Sequence, residues 1–93
     1  MRHLTIAEKS LLIGDDVADA LLQYAAHIGR LRTADDVSVR AFGIDGNEVE
    51  ATLLLNSGTV LASETTQSEL PEPDNAALVA YITAQLAQFD LKA

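Results

Sequence analysis

No cysteine occurs among the 93 residues. Disulfides, thiolate nucleophiles and cysteine-ligated metal centres are therefore excluded, and a cytoplasmic location is expected. Tryptophan is absent as well, and Tyr24, Phe42, Tyr81 and Phe89 are the whole aromatic supply. That is too few for a platform on which nucleic-acid bases stack. Cations are scarce: six Lys and Arg against fourteen Asp and Glu leave a formal net charge of -8. A phosphate backbone needs a basic face, and only Arg30, Arg32 and Arg40 lie in the interior of the chain. Nucleic acid is not an expected partner. No apolar run approaches the roughly 18 residues of a membrane span. The start, Met1-Arg2-His3-Leu4-Thr5-Ile6-Ala7-Glu8-Lys9, meets charge too soon for a signal peptide. Neither a membrane nor an export route is expected.

Hydrophobic residues make up 48% of the chain, enough for one core in a single domain spanning residues 1–93. Two short strands are predicted first, residues 4–6 and 10–13, with Ala7-Glu8-Lys9 as their turn. Gly14 then breaks the strand. A helix follows over residues 16–31, with Asp15 or Asp16 as its cap. Val17, Leu21, Tyr24, Ala25, Ile28 and Leu31 form its apolar stripe, and Leu22 lies off that stripe beside Ala18. Strands are predicted over 37–43, 48–55 and 59–65. Asp45-Gly46-Asn47 and Asn56-Ser57-Gly58 have the composition of hairpin turns between them. A polar loop over 67–73 leads to a last helix starting near Asp74 or Asn75, with Leu78, Ile82, Leu86 and Phe89 on its stripe. The reading is an α+β two-layer sandwich in the order β-β-α-β-β-β-α. An antiparallel sheet of about five strands carries two helices on one face.

Strand register follows from parity. With a three-residue loop, Val37, Val39 and Ala41 share a face with Val49, Ala51, Leu53 and Leu55. A two-residue loop would set Ala41 beside Glu50 instead. Since a slip of one residue inverts every side chain, the first parity is preferred. Ser38, Arg40, Phe42, Glu50, Thr52 and Leu54 then share the opposite face. For the next hairpin, a two-residue loop turns Leu61 outward and a three-residue loop turns it inward.

Several groupings carry possible chemistry. Asp15-Asp16-Val17-Ala18-Asp19 has a spacing that chelates magnesium on some helices, but no second acidic motif accompanies it, and helix capping explains it. Asp19, Gln23 and His27 drift to one side of the first helix and form a possible ligand cluster. A partly exposed helix histidine explains His27 equally well. Glu48, Glu50 and Glu64 could form a paired-carboxylate site or a solvated sheet surface. No serine lies in GxSxG, and no Gly-rich phosphate loop occurs. No catalytic residue, metal site or cofactor is assigned.

The stretch Leu11-Leu12-Ile13-Gly14-Asp15-Asp16-Val17-Ala18-Asp19-Ala20-Leu21-Leu22, with Asp45-Gly46-Asn47-Glu48-Val49 and Pro73-Asp74-Asn75-Ala76, resembles small uncharacterised bacterial proteins. That resemblance implies no function and no site residues. The expected role is a non-catalytic protein-interaction domain that self-associates, as a dimer, through Phe42, Leu54, Leu22 and Leu61. Two alternatives stand beside it. One is an acidic inhibitor or immunity-type protein for a basic partner. The other is a small-ligand binder or enzyme using His27 and nearby carboxylates.

Overall fold

Arg2–Ile6 (β1) and Lys9–Ile13 (β2) open the chain, and Asp15–Leu31 forms the first helix (α1). Asp35–Phe42 (β3), Glu48–Leu55 (β4) and Leu61–Thr65 (β5) follow, and Ala76–Lys92 is the second helix (α2). This computed structural model describes the backbone of residues 1–92 and the side chains of residues 1–88. The order is the one expected, with the five strands in one antiparallel sheet.

The first hairpin closes on Ala7 and Glu8, with Ile6 opposite Lys9. Ala7 takes a positive φ of 53°, a demand that glycine usually meets, so the turn leaves little trace in composition. In α1 the expected aspartate cap is not made. Gly14 stands at the N-cap in extended backbone with no side-chain cap, and Asp15 and Asp16 sit in the first turn. There they complement the helix dipole. A Cβ on Gly14 would lie 1.9 Å from a carboxyl oxygen of Glu72, so the Glu72 side chain lies over the helix start. Val17, Ala18, Leu21, Tyr24 and Ile28 are buried. The stripe is thus rotated toward Ala18, and Leu31 is left exposed.

The β3–β4 hairpin has the expected face parity. Its loop is residues 44–46, one position earlier than predicted: Gly43 N–H donates to Asn47 O (2.9 Å) and Gly46 N–H to Gly43 O (3.0 Å). Gly46 has φ +83°, the left-handed residue that closes a three-residue hairpin loop. Val37, Val39 and Ala41 stand opposite Leu53, Ala51 and Val49 and turn toward the core.

The second predicted hairpin is not formed. The sheet order is β4-β3-β2-β1-β5, so β5 pairs with β1 at the edge opposite β4. A turn does exist, with Thr59 N–H donating to Asn56 O (3.2 Å); its exit leads away from β4. β4 and β5 run parallel, so in a flat sheet Leu55 and Leu61 would lie at opposite ends as well as about 19 Å apart across the strands. The six steps from Leu55 to Leu61 reach only about 20 Å at full extension, and the turn shortens them. The sheet must therefore coil. The link is tied at both ends: Thr59 Oγ1 donates to Leu54 O (3.3 Å), and Ala7 N–H donates to Val60 O (3.4 Å).

β2 and β3 pair at one position only, Leu12 with Phe42. Two residues further on, β2 has given way to Gly14. Asn75 serves Arg40 there instead, accepting from its N–H (2.8 Å) and donating to its carbonyl (2.8 Å). Asp74 accepts from Ala76 N–H (3.0 Å) at the start of α2. From α2, Ile82 is fully buried and Leu78, Val79 and Leu86 pack at the core margin. Phe89, expected on the same stripe, lies outside the described side chains. Leu4, Ile13, Leu21, Val39 and Leu55 complete the centre of one core. No polar or charged residue is fully buried among the described residues.

Candidate functional site

The outward side chains of the sheet form rows across the strands. Glu48, Phe42, Leu12, His3 and Glu64 are successive neighbours from β4 to β5. Phe42, Leu12 and His3 are half-buried in this row. Along β4 the next outward rows are Arg40 with Glu50 and Ser38 with Thr52, and then Asp36 with Leu54. Arg40 reaches Glu48 (3.2 Å) and Glu50 (3.7 Å), and the Ser38 and Thr52 hydroxyls lie 3.2 Å apart. Leu54 is 60% exposed. Phe42 and Leu54 therefore share the outer face, but two polar rows separate them, and they do not merge into one patch.

Leu61 and Leu22 stand differently. Leu61 pairs with Ile6 and packs against the core. It is part-buried and faces inward, because β5 takes its register from β1 rather than from a turn after β4. Leu22 is half-buried on the flank of α1.

β4 is an open edge. Gly43 and Asn47 share a hydrogen bond, so the odd-numbered residues of β4 exchange bonds with β3. Glu48, Glu50, Thr52 and Leu54 then turn their N–H and C=O groups to the free side. On the inner face α1 packs on β1 and β5, and α2 packs on β3. Beneath β4 there is a cleft of about 640 Å³ whose apolar lining includes Leu11, Ile44, Val49, Ala51 and Leu53. It exists because β2 parts from β3 after a single pair. Val49 is 37% and Ile44 99% exposed there.

The acidic groupings resolve into structural contacts. Asp15 meets the Met1 amino group (3.2 Å) and Arg2 Nε (3.4 Å), and Asp19 meets Arg2 (3.6 Å). Two of the three acids in the magnesium-like spacing on α1 are thus paired with Met1 and Arg2, and the third, Asp16, lines a cleft. His27 is half-buried and Gln23 is exposed. Neither the cleft beneath β4 nor a second one of about 600 Å³, beside Asp16, Glu72 and Asp74, is lined by Asp19, Gln23 or His27. Glu48 and Glu50 lie on β4 while Glu64 lies on β5, at the other edge. No group of three His, Asp or Glu suited to a metal ion occurs among the described residues. No helix there is long and apolar enough to cross a membrane.

One constellation had no signal in the spacing. Asp35 Oδ2 accepts from Tyr24 Oη (2.5 Å) and from Tyr81 Oη (2.6 Å). The two rings meet edge to face at 6.2 Å between centroids. Burial, then the bond to Asp35, pushes the Tyr24 phenol far above its usual range. Tyr81 is raised mainly by its bond to Asp35. Burial alone would raise Asp35, but the two phenols and the Asp36 N–H outweigh it and hold the carboxyl below its ordinary value. A carboxylate with two committed donors is a poor base. Its effect is to clamp α1, β3 and α2 together.

No protein-family model matches the chain, no curated protein matches it, and no solved structure matches it. The geometry above is therefore the ground for a functional reading.

Proposed function

We propose that this chain acts by protein–protein contact rather than catalysis, and that it binds further copies of itself through the side of the sheet where β4 lies. The observation that carries this reading is β4 itself. It is an eight-residue edge strand, fully paired on one side with no bulge. It contains neither proline nor lysine, the residues with which proteins commonly blunt an exposed edge. Leu54 and Val49 stand exposed on it, with Ile44 exposed in the loop before it, and its two glutamates are both engaged by Arg40. The test is size-exclusion chromatography with light scattering over a concentration series. A mass rising above the 9.9 kDa of one chain is expected, with Leu54→Ser lowering it. A strict monomer at millimolar concentration would overturn the reading.

A further inference from the structure

Self-association through the β4 side of the sheet can be given a register. We infer that two copies join β4 to β4 antiparallel about a two-fold axis through Ala51, continuing one sheet across both chains. The inference rests on that reading and adds a partner geometry to it. Three observations select it.

The first is the hydrogen-bonding edge. On β4, Glu48, Glu50 and Thr52 turn their N–H and C=O groups to the free side, and the edge ends at Leu54, whose carbonyl accepts from Thr59 Oγ1. A two-fold perpendicular to the sheet keeps inner faces together, so paired residues must have numbers of equal parity.

The second is charge. With Ala51 on the axis, Glu50 stands opposite Thr52 of the other copy and Glu48 opposite Leu54. No two glutamates then oppose each other directly. Moving the axis to Glu50 would place Glu50 against Glu50, an unfavourable pair. Moving it to Thr52 would leave Glu48 beyond the strand, opposite Asn56. The self-complementarity of this one segment is what points to a second copy rather than to an unrelated strand.

The third is the inner face. The same register sets Val49 against Leu53 of the other copy and Ala51 against itself. The clefts, lined by Val49 and Ala51 with Leu11 and Leu53 at their floor and by Glu8, Lys9, Glu50 and Thr52 at their rim, would adjoin across the axis. Apolar pairs on that side and backbone bonds along the edge together supply the contact that an added strand makes in other sheets.

The absence of cysteine makes the test clean. Across the axis, Ala51 would occupy a non-hydrogen-bonded pair, with Cα atoms about 4.5 Å apart, inside the range a disulfide bridges. Under mild oxidation Ala51→Cys should give a covalent dimer in high yield, whereas Ala62→Cys on β5 should not. Thr52→Pro complements this. Its N–H points to the free side, so proline should leave the β3–β4 ladder intact. The variant should keep the far-ultraviolet spectrum of the parent and run as a 9.9 kDa monomer. A doubled mass that survives Thr52→Pro, with Ala51→Cys unlinked, would overturn this geometry and leave self-association through the outer face. A wild-type monomer at every concentration would overturn both.

Discussion

Asp35 receives two phenol hydroxyls, and the three side chains come from three elements, so residue chemistry here is tertiary structure. Tyr24 is only 3% exposed and Tyr81 is 42% exposed. Removing the Tyr24 hydroxyl strips a bond to a charged group from a dry site, and Tyr24→Phe should cost about 1.5–3 kcal/mol. Tyr81→Phe removes a bond that water can partly replace and should cost about 0.5–1 kcal/mol. Urea unfolding of both variants checks the order, and a larger loss for Tyr81→Phe would contradict it. The pH dependence has a definite sign at each end. Folding lowers the Asp35 pKa, so its contribution is full above the ordinary carboxylate value of about 3.9 and is lost as the pH falls through the lower folded value. Folding raises both tyrosines, so theirs is full below about 10 and is lost as the pH rises above it. Asp35→Asn should flatten the acid limb of a stability profile. An unchanged acid limb would mean that other carboxylates set it.

Among the elements, α1 ends in a way that predicts an easy gain. Arg32 adopts φ 54° and ψ 42°, and the N–H groups of Arg32 and Thr33 return to Gly29 O (3.3 Å) and Ile28 O (3.3 Å). This double return is the helix stop in which glycine normally takes the left-handed position. Arg32→Gly should raise stability by about 1 kcal/mol, read as a higher urea midpoint with unchanged slope; a fall would show that the arginine side chain has a compensating contact. The face of the β3–β4 hairpin was legible in the sequence because residue parity decides it, whereas the caps of α1 were not: Gly14 and Arg32 take them without a side-chain signal. Val37, Val39 and Ala41 could share a buried face with β4 in only one parity. The path of β5 was not legible, because Asn56, Gly58 and Thr59 encode a turn but not the strand that follows it. Its partner is β1, with Ile6 opposite Leu61 and Leu4 opposite Ser63. Of the candidate site, Leu54 on an exposed face could be read from alternation. The Tyr24–Asp35–Tyr81 junction could not, since 11 and 46 residues separate the donors from their acceptor and no period joins them. The open edge of β4 was hidden for the same reason as the path of β5: the expected hairpin would have covered it.

At the scale of the whole molecule, charge decides how association responds to solution conditions. Each copy carries a formal charge of -8 on a body whose longest extent is 41 Å. At 0.01 M salt the screening length is about 30 Å, so two copies repel across most of their surfaces. At 0.15 M it shrinks to about 8 Å, and the backbone and apolar contacts of β4 are left to act against little long-range repulsion. Added salt should therefore tighten self-association, by roughly three- to tenfold in Kd over that range. Lowering the pH toward the sequence pI of about 4.4 should act in the same direction by removing charge. A basic partner held by the acidic surface would behave in reverse, since screening would weaken an attraction. Sedimentation equilibrium of the purified chain at the two salt concentrations separates these cases. Dissociation on adding salt would show that ion pairs, such as glutamates of one copy against Arg40 of the other, hold the copies together, and would remove the β4 edge from its central place.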